Sequence, residues 1–187
     1  MTKLAEWMRT HGFACLVTLA PLFIFAGTST GQDISPDHYE GLRYRHIGPV
    51  GNRIASVAGV SGNPHIYYVG AASGGVWKTV DGGLFWEPVF DDHPSHSIGA
   101  LAVAASDPEI VWVGTGEPHI RSNVTIGDGV WKSTDGGSTW NNMGLGATGR
   151  ISRVLIHPLN PNIVYVGALG HAHAPQPERG VYRTMDG

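Results

Sequence analysis

GVWKSTDGG, residues Gly129–Gly137, restates GVWKTVDGG at Gly75–Gly83 and returns as GVYRTMDG at Gly180–Gly187. The copies start 54 and 51 residues apart. A period near ~50 residues marks a repeat architecture, in which one supersecondary unit buries its apolar face on the next.

Outward from the phrase, each copy carries the same series of short runs. The first copy has Arg53–Val60, a turn at Gly62-Asn63-Pro64, Ile66–Ala71, Gly75–Thr79, the Asp81-Gly82-Gly83 turn and Trp86–Phe90. The second has Ile98–Ala104, Asp107-Pro108, Ile110–Thr115, Val130–Ser133, Asp135-Gly136-Gly137 and Trp140–Met143. The third has Ile151–His157, Asn160-Pro161, Ile163–Leu169 and Val181–Thr184. Short β-branched and aromatic runs bounded by Gly, Pro, Asn and Asp are strands. Beyond the first ~30 residues no segment has helical periodicity. One repeat is therefore four short strands in a meander, and radial repetition of such sheets gives a β-propeller of ~4–8 blades. The expected fold is all-β, with four-stranded antiparallel blades at 53–96 and 97–149 and a partial blade at 150–187, about two and three-quarter blades in all. The sequence stops within its third copy, so a longer natural protein is expected. Residues 32–52 read as a lead-in, with Leu42-Arg43-Tyr44-Arg45 either a ring-closing outer strand or a linker.

Composition agrees. Hydrophobic residues make up 42% and charged residues 14%, with 27 Gly and 12 Pro, as in a turn-rich β protein. A net charge of −3 without a basic cluster gives no electrostatic case for nucleic acid. Residues 1–31 read as a signal peptide: Lys3 and Arg9 precede the apolar run Phe13–Ala26, and small residues follow. The run is short for a membrane span. The expectation is a secreted or periplasmic protein, touching a membrane only through this segment if it stays uncleaved. The single cysteine, Cys15, lies inside the run, so the mature chain would have no disulfide or thiolate chemistry.

Ser133–Trp140, STDGGSTW, matches the Asp-box pattern S-x-D-x-G-x-T-W. Thr79–Trp86 matches with two relaxed positions, and Thr184–Gly187 is a truncated match. In such a hairpin the Asp carboxylate accepts N–H bonds across its own turn, the glycines take positive φ, and the Trp folds back on the turn. Over about Gly41–Gly187 the chain resembles the Asp-box (BNR) propeller superfamily, which includes sialidases, xyloglucan-cleaving glycoside hydrolases, sortilin-type receptors and a photosystem-assembly propeller. Arg45-His46-Ile47-Gly48-Pro49, Gly114-Thr115-Gly116-Glu117 and Gly127-Asp128-Gly129-Val130 bring it nearest to secreted bacterial proteins described as sortilin-like or glycosyl-hydrolase-like. The resemblance implies a structural role for the Asp-box residues Asp81, Trp86, Ser133, Asp135, Gly137, Trp140 and Asp186. It also exposes departures. Ala71–Gly75 has no carboxylate where the xyloglucan-cleaving enzymes carry a catalytic Asp, and the Arg-Ile-Pro signature of sialidases is missing beside Tyr44-Arg45.

In a meander, the first turn and the Asp-Gly turn share one end of the blade. The other end holds the variable loops, where function concentrates on a rigid scaffold. Arg53 and Arg150 each precede an innermost strand and are expected near the channel mouth, either gripping a ligand carboxylate or bonding loop carbonyls. Glu117, leaving a buried strand, is the candidate catalytic carboxylate, its alternative being an ion pair with Arg121. Asp92, His119, Arg121 and Asp128 complete the candidate ligand-binding set. His171 and His173 form an H-x-H pair in a Pro-rich loop without a third clear ligand, so no metal is assigned and no cofactor is expected. The leading expectation is an exported binding module for a carbohydrate, peptide or protein ligand. The alternative is a secreted glycoside hydrolase, xyloglucanase- or sialidase-like, with part of its site in other blades.

Overall fold

A computed structural model describes residues 35–42, 46–49, 52–173 and 175–187. The expected signal peptide lies outside the described residues, as do Arg43, Tyr44 and Arg45 of the candidate closing strand. The chain divides into two compact units, Met1–Tyr44 and Arg45–Gly187. In the first, the described residues make one 3-10 turn, Pro36–Tyr39, whose start is capped by the Ser35 hydroxyl accepting the Asp37 N–H at 3.3 Å.

The second unit is built of antiparallel strands. The first sheet runs β1 (Ile54–Val60), β2 (Asn63–Ala71), β3 (Val76–Thr79) and β4 (Glu87–Pro88). The second runs β5 (Ile98–Val103), β6 (Val111–Thr115), β7 (Val130–Ser133) and β8 (Asn141–Asn142). The third pairs β9 (Ile151–His157), β10 (Asn160–Ala168) and β11 (Gly180–Thr184) in sequence order. These are blades of a partial β-propeller, each a meander. The outer strands are shorter than the sequence suggests. Trp140 leaves the ladder to serve the turn, so of the expected run Trp140–Met143 only Asn141 and Asn142 form the strand, with the Met143 N–H still donating to the Val130 carbonyl at 2.8 Å.

The turns form as their chemistry requires. Asp135 Oδ1 accepts the Thr139 N–H at 2.8 Å and the Ser133 hydroxyl at 2.8 Å, while Ser133 Oγ accepts the Gly137 N–H at 2.8 Å. Asp81 and Thr79 repeat this, with Leu84 N–H to Asp81 Oδ1 at 2.9 Å and Gly83 N–H to Thr79 Oγ1 at 3.0 Å. Donors converging on an ionised carboxylate stabilise its charge. The Thr139 hydroxyl leads in drawing the Asp135 pKa down to about 2, and the Phe85 N–H leads in lowering that of Asp81.

Alternation along the strands sends one stripe of side chains to each neighbouring blade. Between the first and second blades lie Tyr68, Val76, Phe90, Leu101, Val113 and Trp140. Phe90 meets Trp140 edge-on, with ring centroids 5.2 Å apart. Between the second and third lie Trp112, Val130, Ile151, Val154, Val164 and Val166. Strand-two glycines let the blades approach. A Cβ at Gly70 would stand 2.4 Å from Ile98 Cγ2, and one at Gly114 would stand 2.3 Å from Ile151 Cγ2. The innermost strand of each blade thus lodges its Ile against the glycine of the blade before.

Candidate functional site

The innermost strands β1, β5 and β9 each carry a β-bulge at the same place. Register shifts by one residue between Ile54 and Ser56 and between Ile98 and Ala100. It does so again between Ile151 and Arg153, against β10. Ala55, Gly99 and Ser152 are the extra residues. A bulge re-aims the chain and leaves one residue outside the ladder, a device concentrated near sites. Here the three extra residues frame a cleft of about 400 Å³, completed by Pro118, His119 and Arg153. Gly99 must be glycine, because a Cβ there would stand 2.1 Å from the Ile151 carbonyl oxygen.

Beside the cleft, β6 ends at Thr115 and Gly116 turns the chain at φ 89°. The Gly116 N–H donates to the Ser97 carbonyl at 2.7 Å, and the Glu117 N–H to the Thr125 carbonyl at 2.9 Å. That anchoring buries the Glu117 side chain to 2% exposure. Its Oε1 pairs with Arg121 Nε at 2.6 Å and Arg53 Nη2 at 2.9 Å, and both arginines reach solvent. Its Oε2 is buried with no hydrogen-bond partner among the described residues. The Arg121 hydrogen bond, helped by the charges of Arg121 and Arg53, holds the Glu117 pKa below the ordinary carboxylate range, although burial pulls it up. Glu117 is therefore an anion at neutral pH. A general acid needs the opposite shift, whereas an anion suits holding two guanidinium groups in place or the base or nucleophile role of a glycosidase.

The other sequence-derived residues are distributed as follows. Arg53, Glu117 and Arg121 form one cluster, with His119 exposed in the adjoining cleft. Arg150 stands apart from it. It is 3% exposed, donates from Nε to the Gly170 carbonyl at 2.7 Å, and has its pKa lowered by burial and by Arg179. This is the loop-carbonyl alternative for that arginine. Asp128 Oδ1 accepts from Thr115 Oγ1 and from Trp131 Nε1, both at 3.0 Å, which ties its loop to the sheet. Asp92 is exposed beside His93, whose ring lies 4.3 Å from Phe90 and 4.7 Å from Trp131. Burial lowers the His93 pKa despite the opposing charges of Asp92 and Asp128. Among the described residues no three His, Cys, Asp or Glu side chains gather as metal ligands.

Sequence reasoning missed Arg153 and the three bulges. A signal existed: each innermost strand opens with an Ile followed by a small residue, as Ile54-Ala55, Ile98-Gly99 and Ile151-Ser152.

No family profile matches the chain, and no curated protein matches it significantly. Solved structures do match. An ancestral GH74 enzyme aligns with 76% of the chain at 21% identity and a TM-score of 0.57. The GH74 xyloglucanase from Xanthomonas campestris aligns with 77% at 19% identity and a TM-score of 0.54. YCF48 bound to D1 peptide aligns with 78% at 18% identity and a TM-score of 0.49. The chain spans 18%, 21% and 43% of their respective lengths. The two GH74 likenesses, with TM-scores above 0.5, establish the β-propeller fold.

Proposed function

We propose that this chain is part of an exported Asp-box β-propeller, secreted or periplasmic, that binds a carbohydrate, peptide or protein ligand on the face carrying Arg53, Glu117 and Arg121. The observation that carries this reading is Glu117 itself. It is buried and its one paired oxygen is taken up by two arginines that reach solvent, so it holds their cations outward toward a ligand. Its neighbours Arg53 and Arg121 then serve as pre-organised donors for polar ligand groups, and the bulge-framed cleft beside them supplies the concavity.

The test pairs binding with turnover. Immobilised polysaccharides and peptides are screened against the protein while reducing-sugar release is followed. Binding without release, weakened about tenfold or more by Arg53→Ala or Arg121→Ala, supports the module. Sugar release that disappears in Glu117→Gln supports a glycoside hydrolase instead. Binding left unchanged by all three substitutions removes this face from consideration.

A further inference from the structure

The position just before each innermost strand is filled differently in the three blades. Ala72, Gly116 and Leu169 donate their N–H groups to the carbonyls of Arg53, Ser97 and Arg150, which makes these three residues equivalent. Ser97 shows that the fold does not require an arginine there. Arg53 reaches solvent and has Glu117 as its counter-charge at 2.9 Å. Arg150 is 3% exposed and, among the described residues, pairs with no carboxylate. Its Nε serves the Gly170 carbonyl at 2.7 Å, while Nη1 is buried without a hydrogen-bond partner among the described residues. A second guanidinium stands at the same glycine. A Cβ on Gly170 would lie 2.5 Å from Arg179 Cγ and 2.7 Å from Arg179 Nε. Burial and the Arg179 charge both lower the Arg150 pKa, and no carboxylate offsets them.

A buried cation beside a second cation is costly unless an anion joins them. The loop that holds the two together is pinned in place. Gln176 accepts the His171 N–H at 2.6 Å and donates to the Ala147 carbonyl at 2.6 Å, and Arg179 Nη2 donates to the His171 carbonyl at 2.6 Å. We infer that Arg150 and Arg179 bind an oxyanion, a carboxylate or phosphate group, under the loop 170–180, at a site separate from the Arg53, Glu117 and Arg121 cluster. Guanidinium N–H groups match the paired oxygens of such a group, and the Nη groups of Arg150 remain for it once Nε has taken the Gly170 carbonyl. Arg179 is exposed, so the site opens to solvent on its side. Next to it, His171 and His173 line a cleft of about 300 Å³ with Val124, Ile126 and Ala172. That cleft has room for the remainder of a molecule that carries the oxyanion.

The test titrates the full chain with sodium acetate and, separately, with sodium phosphate, against sodium chloride at equal ionic strength and neutral pH. A saturable rise in Tm of about 2 °C or more over chloride is expected, together with a shift of the Arg150 Nε–H NMR signal along the same curve. The tighter probe assigns the group as carboxylate or phosphate. Arg150→Lys keeps the charge but loses the paired donors, and Arg179→Gln alters an exposed side chain, so it decides the matter should the first variant fail to fold. Each should raise Kd about tenfold or more. Arg53→Ala should leave Kd unchanged, which separates this site from the cluster at Glu117. Absence of saturable binding by both probes overturns the inference, as does binding that survives Arg179→Gln. Binding lost in Arg53→Ala but kept in Arg179→Gln overturns it too, and moves the anion to the Arg53 cluster.

Discussion

The indole N–H of Trp140 donates to the Val89 carbonyl, one blade away, at 2.7 Å. The same group also lies 3.1 Å from the Gly137 carbonyl of its own turn. The Trp of this hairpin is therefore shared between its own turn and the outer strand of the preceding blade. In the first blade Trp86 donates its indole N–H to the Ile47 carbonyl, in the segment before β1. Trp140→Phe keeps most of the ring contact with Phe90 and removes the donor. It should cost about 1 kcal/mol, and Trp140→Ala about 3–5 kcal/mol, by chemical denaturation. Equal losses in the two variants would mean the hydrogen bond contributes nothing separable.

Acid should weaken the second turn through Asp135. Folding lowers its pKa from 3.8 to about 2, so the unfolded chain takes up the proton first. Its stabilisation is complete above pH 3.8 and declines as pH falls toward about 2. Asp135→Asn should lower Tm at neutral pH and flatten the dependence of Tm on pH across that window. An unchanged acid limb in the variant would assign the dependence to other carboxylates.

Glu117→Gln removes the charge that Arg53 and Arg121 share. Because both arginines reach solvent, the loss should be about 1–2 kcal/mol, below the cost of breaking a fully buried pair. Exchange should quicken at the Glu117 amide, whose bond to Thr125 closes the loop. Protection left intact at that amide would show that the backbone holds the loop without the ion pair.

Gly99→Ala brings a methyl against two carbonyl oxygens, Ile151 at 2.1 Å and Gly116 at 2.4 Å. Backbone on both sides leaves little room to yield. The expected penalty is at or above the top of the about 1–3 kcal/mol usual for overpacking. Gly62→Ala, in an open turn at φ 76°, is the comparison and should cost only about 1 kcal/mol.

The strand order was legible because it is local. The Asp81 and Asp135 turns are spelled in consecutive residues, and two neighbouring apolar runs fix each hairpin. The contact of Glu117 with Arg121 was legible for the same reason. Its second partner was not, since Arg53 belongs to another blade and meets Glu117 only when the sheets stack. Arg150 illustrates the same limit. Its position before a strand resembles that of Arg53, yet the Gly170 loop folds over it and takes its N–H. The bulges escaped because a register shift is a property of two strands together, and Ile-Gly or Ile-Ser alone does not state which residue its partner skips.

The extra residue in each innermost strand also separates two tasks along one chain. On one side of Ala55, Gly99 and Ser152, the ladder fixes which residues face the neighbouring blade. On the other side, the chain enters the variable loops. A change of loop length is absorbed at the bulge before it can slip the ladder, where a slip of one residue would turn Leu101 and Val113 out of the core. The scaffold behaves as a socket whose fittings can be exchanged without rebuilding the wall that holds them.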